Sequence, residues 1–282
     1  MTPLRQRMID AMVLRGLALR TQQAYVSAVA QLARHYGRSP EELDAAQVQA
    51  WLLHRVSERR LSYETIRQAV CAIRFLFTTV LGRPDEALSI PYPRTPQRQP
   101  EILSRDELAR LFDAANGIRA RTLLMTTYAA GLRLSEVCRL RLADIDSAPD
   151  RMCIRVVGGK GGKDRYTLLT ATLLDTLRLY WRASRPRHWL FPASRDPSQP
   201  FNDSALQRIY QRSRERAGIT KRGGVHTLRH CYATHLLEAG VDLATLSRLL
   251  GHGHLSTTQR YLHLARPGQM PPDSPLDLLR RL

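Results

Sequence analysis

The 282-residue sequence predicts a mainly α protein of two domains, with a small antiparallel β-sheet in the second. Three observations predict it. Apolar residues recur every three or four positions along most of the chain. Pro91, Pro93, Pro96 and Pro100 fall within IPYPRTPQRQP, where they forbid regular structure and favour an extended linker. Two segments rich in β-branched and aromatic residues, MCIRVV and DRYTLLT, flank the glycine-rich run 158–162, the pattern of a hairpin.

In chain order, residues 1–89 read as a helical domain with helices over about 4–15, 21–36, 47–57 and 63–81 and turn material from Gly37 to Pro40. The first segment is basic and acid-poor, but arginines interrupt every apolar run, so it reads as an amphipathic helix rather than a secretory leader. Residues 90–101 are the linker, and residues 102–282 form the second domain with its tail. Ser104, followed three residues on by Glu107, is a capping box. A helix over 118–130 closes at Gly131, helical spacing resumes over 134–142, and the hairpin follows. Further helices are expected near 170–184, 203–217, 227–239, 242–250 and 256–264. Pro267, Pro271, Pro272 and Pro275 then break the chain before a last amphipathic piece, LDLLRRL.

Forty-three Lys and Arg stand against 25 Asp and Glu, a net charge of +18 and a pI near 10.7. The natural partner of such a chain is a polyanion. Residues 1–98 carry +6 and the remainder +12, so two basic halves on a Pro-rich tether suit a clamp that closes around duplex DNA and displaces its counterions. A generally cationic surface from an Arg-rich proteome gives the same composition. No uncharged stretch reaches the roughly 18 apolar residues of a membrane helix. Cys71, Cys138, Cys153 and Cys231 lie far apart without a CxxC pair, which argues against a zinc ribbon or a disulfide framework and fits buried thiols in a reduced cytoplasm. Only Lys160, Lys163 and Lys221 are lysines; the other 40 basic residues are arginines. Two of the three lysines share the segment GGKGGKDR.

Six of the nine histidines lie between 226 and 263, in HTLRHCYATH and GHGHLSTTQRYLH. His226 and His230 have the i, i+4 spacing of a helical zinc motif, but Thr227 stands where that motif needs a glutamate, and Arg229 would set a fixed cation beside the metal. No metal or other cofactor is therefore expected. His230, His235, His254 and His263, taken singly, read as surface or core histidines. A phosphate site is the sharper reading: Arg229 offers a planar donor fork, and His226, nearly one turn away, faces the same direction. In GLRLSE, Gly131 ends one helix and sets Arg133 at the start of the next.

The segments AAGLRLSEVCRLRLADID, VVGGKGGKDRYTLL and VHTLRHCYATHLLEAGVDLATLSRLLGHGHLSTTQRYLH resemble, in order, the signature segments of the tyrosine recombinases, the phage integrase and Xer group. The resemblance covers about 102–264, and 4–82 looks like that family's core DNA-binding domain. It implies that Arg133 and Arg229 clamp the non-bridging oxygens of the scissile phosphate, with His226 and His252 adding hydrogen bonds. It implies that Tyr261 is the nucleophile; without the family, Tyr261 reads as a packed aromatic. Glu136 matches the acidic position that helps hold the site together, although by itself it also admits the reading of an exposed helix acid. Lys160 corresponds to the hairpin lysine that protonates the leaving 5′ oxygen, and Lys163 is a DNA-backbone contact.

Such a chain cuts and rejoins DNA without metal or ATP, because a 3′-phosphotyrosyl bond stores the energy of the broken phosphodiester. The expected partners are double-stranded DNA and three further copies of the chain, a homotetramer on two DNA sites; no membrane is involved. The expected location is the bacterial cytoplasm, at the nucleoid when bound. Two other functions compete, a monomeric topoisomerase and a catalytically dead DNA-binding regulator; the GKGGK hairpin and the compact helical N-terminal domain favour recombinase over the first, and the full set of matching positions opposes the second. The chain starts directly at the helical domain, which fits the simple recombinases rather than integrases with an additional arm-binding domain. Mobile-element integration and Xer-type resolution both remain open, as do docking of the tail on a neighbouring subunit and folding back on its own domain.

Overall fold

The structure, a computed structural model, describes residues 2–93, 99–158 and 164–264. The chain divides into two compact units, Met1–Arg98 and Gln99–Leu282.

The first unit holds helices α1 (Pro3–Leu14), α2 (Leu19–Tyr36), α3 (Ala45–Ser57), α4 (Tyr63–Phe75) and α5 (Pro84–Ser89). Local signals set their ends. Asp44 and Gln47 form a reciprocal capping box on α3, and Gly37, at φ 65°, closes α2 in the left-handed region. The core gathers Met8, Met12, Leu32, Trp51, Val70, Ile73, Phe77 and Ile90, contributed by every helix or its flank. The helix expected over 63–81 does not run straight through. Leu76–Val80 is a π turn in which the Leu81 amide donates to the Leu76 carbonyl at 3.0 Å. The Thr78 hydroxyl takes the Arg74 carbonyl at 2.6 Å and crowds the α-helical ladder at that point. The short α5 was not expected, although Pro84 at its first position followed by Asp85 and Glu86 is a helix-start signal.

The second unit contains α6 (Arg105–Asp113), α7 (Gly117–Ala129), α8 (Leu134–Cys138), strands β1 (Ile145–Asp146), β2 (Cys153–Val156) and β3 (Arg165–Leu168), then α9 (Ala171–Ser184), α10 (Asp203–Arg216), α11 (Val225–Glu238), α12 (Leu243–Leu250) and α13 (Ser256–Gln259). The described strands form one antiparallel sheet ordered β1-β2-β3, with Val156 opposite Arg165 and Cys153 opposite Leu168. The expected hairpin is present; β1 at its edge was not anticipated, being only two residues long. The predicted capping box at Ser104 and Glu107 is formed in both directions. Helix 134–142 stops early at Cys138, because Leu140 and Leu142 bond instead to the segment 188–190. The helix expected over 256–264 continues beyond Gln259 only as successive i→i+3 turns.

Alternation along β3 turns Arg165 and Thr167 inward and leaves Tyr166 and Leu168 outward. A charged residue thus occupies a core-facing position. The main core runs beneath α6, α7, α9, α10 and α11, and a smaller cluster of Tyr232, Ala233, Leu246, Leu250 and Tyr261 joins α11, α12 and the turns after α13. No described helix is long and apolar enough to cross a membrane.

Candidate active site

Helix α11 carries His226, Arg229 and His230, which the 3.6-residue period sets on one face. Arg229 is 1% exposed, and its guanidinium binds backbone from two directions. Nη1 donates to the Gly131 carbonyl at 2.6 Å, and Nη2 to the Leu250 carbonyl at 2.5 Å. Glycine is required at 131 because its φ is +59° and a Cβ there would collide with the ring of Tyr232, which packs against it. Leu250 lies in the last turn of α12, where helix carbonyls lack intrahelical partners. Arg165 uses the same helix end, its Nε donating to the Leu249 carbonyl at 2.9 Å. Two arginines from separate elements therefore satisfy the C-terminus of α12, where positive charge also suits the helix dipole.

Glu136 is the hub. Its carboxylate takes both terminal nitrogens of Arg165, at 2.8 and 2.7 Å, and Arg133 Nη1 at 2.7 Å. The Arg133 amide donates to it at 2.8 Å, and Arg229 Nη1 lies 3.9 Å away. Burial would raise the Glu136 carboxyl, but hydrogen bonds and charge from Arg165, then Arg133, outweigh it and hold its pKa at about 2. Burial, and then the charge of Arg133, lower Arg229 to about 10, which leaves it protonated at neutral pH. Three guanidinium groups around one carboxylate leave two positive charges uncompensated.

His252 follows Gly251, which caps α12 at φ 63°. Its Nε2 is 3.3 Å from Arg229 Nη2, and its Nδ1 is 2.8 Å from the Thr258 hydroxyl. Tyr261, 2% exposed, lies nearly parallel to the His252 ring with centroids 6.3 Å apart. Its hydroxyl is 3.1 Å from His230 Nδ1, and the His230 ring meets that of His226 edge-on at 4.6 Å. Burial draws both His252 and His230 down to about 4; Arg229 and Arg133 reinforce this at His252, and His226 and Arg260 at His230. His226 is lowered too, by burial and then by Arg229. Burial raises the Tyr261 phenol despite the opposing charges of Arg229, Arg260 and Arg133. The histidines are thus neutral at pH 7, and the fixed charge belongs to the arginines.

Residues 101–267 match the phage integrase family, and residues 4–86 match the N-terminal SAM-like domain of phage integrases. The chain belongs to the phage integrase family. Protein y4qK of Sinorhizobium fredii is 41% identical over all of this chain and 91% of its own length. The tyrosine recombinase XerA of Pyrococcus horikoshii is 31% identical, with 80% of this chain and 76% of that protein covered. The fold matches a lambda integrase tetramer bound to a Holliday junction with a TM-score of 0.76 at 17% identity, over 96% of this chain and 78% of that one. As a phage integrase family member of the tyrosine recombinase type, the chain is an enzyme of site-specific DNA recombination.

Within this family member, Arg133, Glu136, Arg229, His252, Tyr261, His230 and His226 form one continuous chain of contacts. Lys160 and Lys163 lie outside the described residues; next to them in sequence, the Asp164 carboxylate accepts the Gly158 amide at 2.9 Å and the Arg155 guanidinium at 2.8 Å. Two further side chains, His230 and Arg165, join this cluster. His230 reads from the sequence as a surface or core histidine, and in the fold its Nδ1 lies 3.1 Å from the Tyr261 hydroxyl. Arg165 drew no attention among 40 arginines, although one signal was present: the strand alternation that buries Thr167 must bury Arg165 as well.

Proposed function

We propose that Tyr261 is the nucleophile with which this recombinase cuts and rejoins DNA. One observation carries the reading: a buried tyrosine hydroxyl is hydrogen-bonded to a neutral histidine within the same contact chain as two arginines that hold uncompensated positive charge. Arg133, with a partly exposed side chain, and the remaining N–H donors of Arg229 hold the non-bridging oxygens of the scissile phosphate. His226 and His252 add hydrogen bonds. Glu136 keeps both guanidinium groups in place, and Arg165 keeps Glu136 in place.

The phenolic oxygen attacks phosphorus and its proton passes to a neutral imidazole, for which His230 Nδ1 is placed. Negative charge gathers on the phosphorane and is met by the arginines. The P–O5′ bond breaks, Lys160 gives the departing oxygen a proton, and a 3′-phosphotyrosyl bond remains. Attack by a 5′ hydroxyl of another strand reverses these steps and reseals DNA without an external energy source. Lys163 binds the DNA backbone.

Residues 1–89 serve as the core DNA-binding domain, 90–101 as the linker and 102–282 as the catalytic domain with its tail. The enzyme works in the cytoplasm as a homotetramer spanning two DNA sites; the lambda integrase assembly on a Holliday junction supports that stoichiometry. The test is a nicked suicide duplex. Tyr261→Phe is expected to bind the duplex with unchanged affinity and to give no SDS-resistant protein–DNA adduct; an adduct formed by the Phe variant refutes the assignment.

A further inference from the structure

Thr258, in the short helix α13, is fully buried at 0% exposed, and its hydroxyl behaves unlike those of other helical threonines in this chain. Thr78, Thr126, Thr127 and Thr176 each donate to the carbonyl four residues back, at 2.6, 2.7, 2.7 and 2.9 Å. Thr258 has no helical turn before it, since α13 begins at Ser256, and the His254 carbonyl accepts the Thr257 amide at 3.1 Å. The Thr258 hydroxyl lies instead 2.8 Å from His252 Nδ1, while the Thr258 carbonyl accepts the Tyr261 amide at 3.0 Å. One residue thus joins the His252 ring to the backbone of Tyr261.

The direction of the Thr258 bond follows from the donors at hand. A neutral imidazole carries hydrogen on one nitrogen only, and burial, with the charges of Arg229 and Arg133, keeps His252 neutral at pH 7. With that hydrogen on Nδ1, the Thr258 hydroxyl would accept it. Its own hydrogen would then have no acceptor among the described residues, at a position solvent does not reach. With the hydroxyl donating to Nδ1, both groups are satisfied and the imidazole hydrogen sits on Nε2. That nitrogen lies 3.3 Å from Arg229 Nη2, which donates to the Leu250 carbonyl. Arg229 could give Nε2 a second hydrogen, but His252 is only partly buried, so water or a phosphate can serve Nε2, whereas only Nδ1 serves Thr258.

We propose that Thr258 is a positioning residue that holds His252 in the Nε2–H tautomer, so that His252 and Arg229 donate side by side to one non-bridging oxygen of the scissile phosphate. Donors fixed before the substrate arrives need no rearrangement as charge develops on that oxygen. The phosphate in this arrangement rests on the recombinase reading; the tautomer rests on the Thr258 contact alone. The hydroxyl touches no reacting atom and acts only through the ring.

The native full-length chain, isotope-labelled at its histidine nitrogens, reports the tautomer by magnetic resonance, because protonated and bare imidazole nitrogens resonate far apart. A His252→Phe chain identifies the His252 signals by their absence. A protonated Nε2 and a bare Nδ1 are expected at pH 7, and a protonated Nδ1 overturns the lock. Single-turnover adduct formation on the nicked suicide duplex reads the consequence. Thr258→Val, which keeps the shape and removes the hydroxyl, should bind duplex normally and react at least about tenfold more slowly. Thr258→Ser, which restores the hydroxyl, should stay within about twofold of the native rate. Added to His252→Phe, Thr258→Val should cost less than about a further twofold, since the ring it acts through is gone. A native rate for Thr258→Val, a Thr258→Ser chain as slow as Thr258→Val, or the full loss in the His252→Phe background each overturns the proposal. Should Thr258→Val not fold, Thr258→Ala takes its place in the same comparisons. If the native chain forms no adduct, the recombinase reading fails, and the spectrum still judges the tautomer.

Discussion

Arg165 and Glu136 are both nearly buried and meet through two hydrogen bonds, so removing either leaves a charge without its partner. Arg165→Ala is expected to destabilise the second unit by about 3 to 5 kcal/mol. In our reading Arg165 acts through Glu136 on Arg133 and Arg229, which makes it a positioning residue. Arg165→Lys, which keeps the charge but loses the fork, should therefore fold, bind duplex normally and form the covalent adduct at least tenfold more slowly in a single turnover. Equal rates for Arg165→Lys and the native chain would reduce the pair to a structural role. Lys160 makes a separate prediction. Lysine, with an ordinary pKa near 10.4, can protonate a departing alkoxide, whereas arginine above about 12 is a poor donor. Lys160→Ala should cleave ordinary DNA very slowly and regain near-native rates when the 5′ bridging oxygen is sulfur, since a thiolate leaves unprotonated. Rescue of Lys163→Ala instead would exchange the two roles.

At the scale of elements, α11 and the end of α12 act as a pair. Arg229 and Arg165 satisfy the last carbonyls of α12, and that contact sets His252 beside Arg229 and above Tyr261. The partly buried histidines give this junction a pH dependence with a definite sign. His230 and His252 titrate at about 4 in the fold, against about 6.5 in the unfolded chain. Between these values the unfolded chain binds more protons, so stability is full above about pH 6.5 and falls as pH drops toward 4. Glu136, at about 2 in the fold and about 4.3 unfolded, adds stability that is present above pH 4.3 and lost as pH falls toward 2. Denaturant midpoints of the second unit should decline through both windows. A His230→Phe, His252→Phe double variant should flatten the upper decline and leave the lower one, and an unchanged upper decline would contradict the assignment.

For the whole molecule, the excess of 43 basic over 25 acidic residues is shared by both units, which suits the proposed clamp on duplex DNA. Six or more phosphate contacts at roughly −0.9 each predict a log K against log salt slope steeper than about −5. A slope that corresponds to one or two contacts would contradict a clamp built from both units.

Much of this architecture is legible in the sequence because its causes are local. The three- and four-residue apolar spacing, the Ser104 and Glu107 box and the β-branched segments around the glycine run each act within a few residues, and the corresponding helices, cap and hairpin are present. Periodicity likewise sets His226, Arg229 and His230 on one face of α11. Local pattern misleads where a distant partner competes for the backbone: helix 134–142 ends at Cys138 because segment 188–190 takes the bonds of Leu140 and Leu142. The same limit governs the site. Arg165 reaches Glu136 across 29 positions and the Leu249 carbonyl across 84, while His230 meets Tyr261 across 31. Residue type and spacing determined which side chains were available and which way each faced on its own helix or strand. Only the packing of α8, β3, α11 and α12 decided which of 40 arginines lost their water and found a carboxylate, because burial and charge pairing depend on distance in space rather than along the chain.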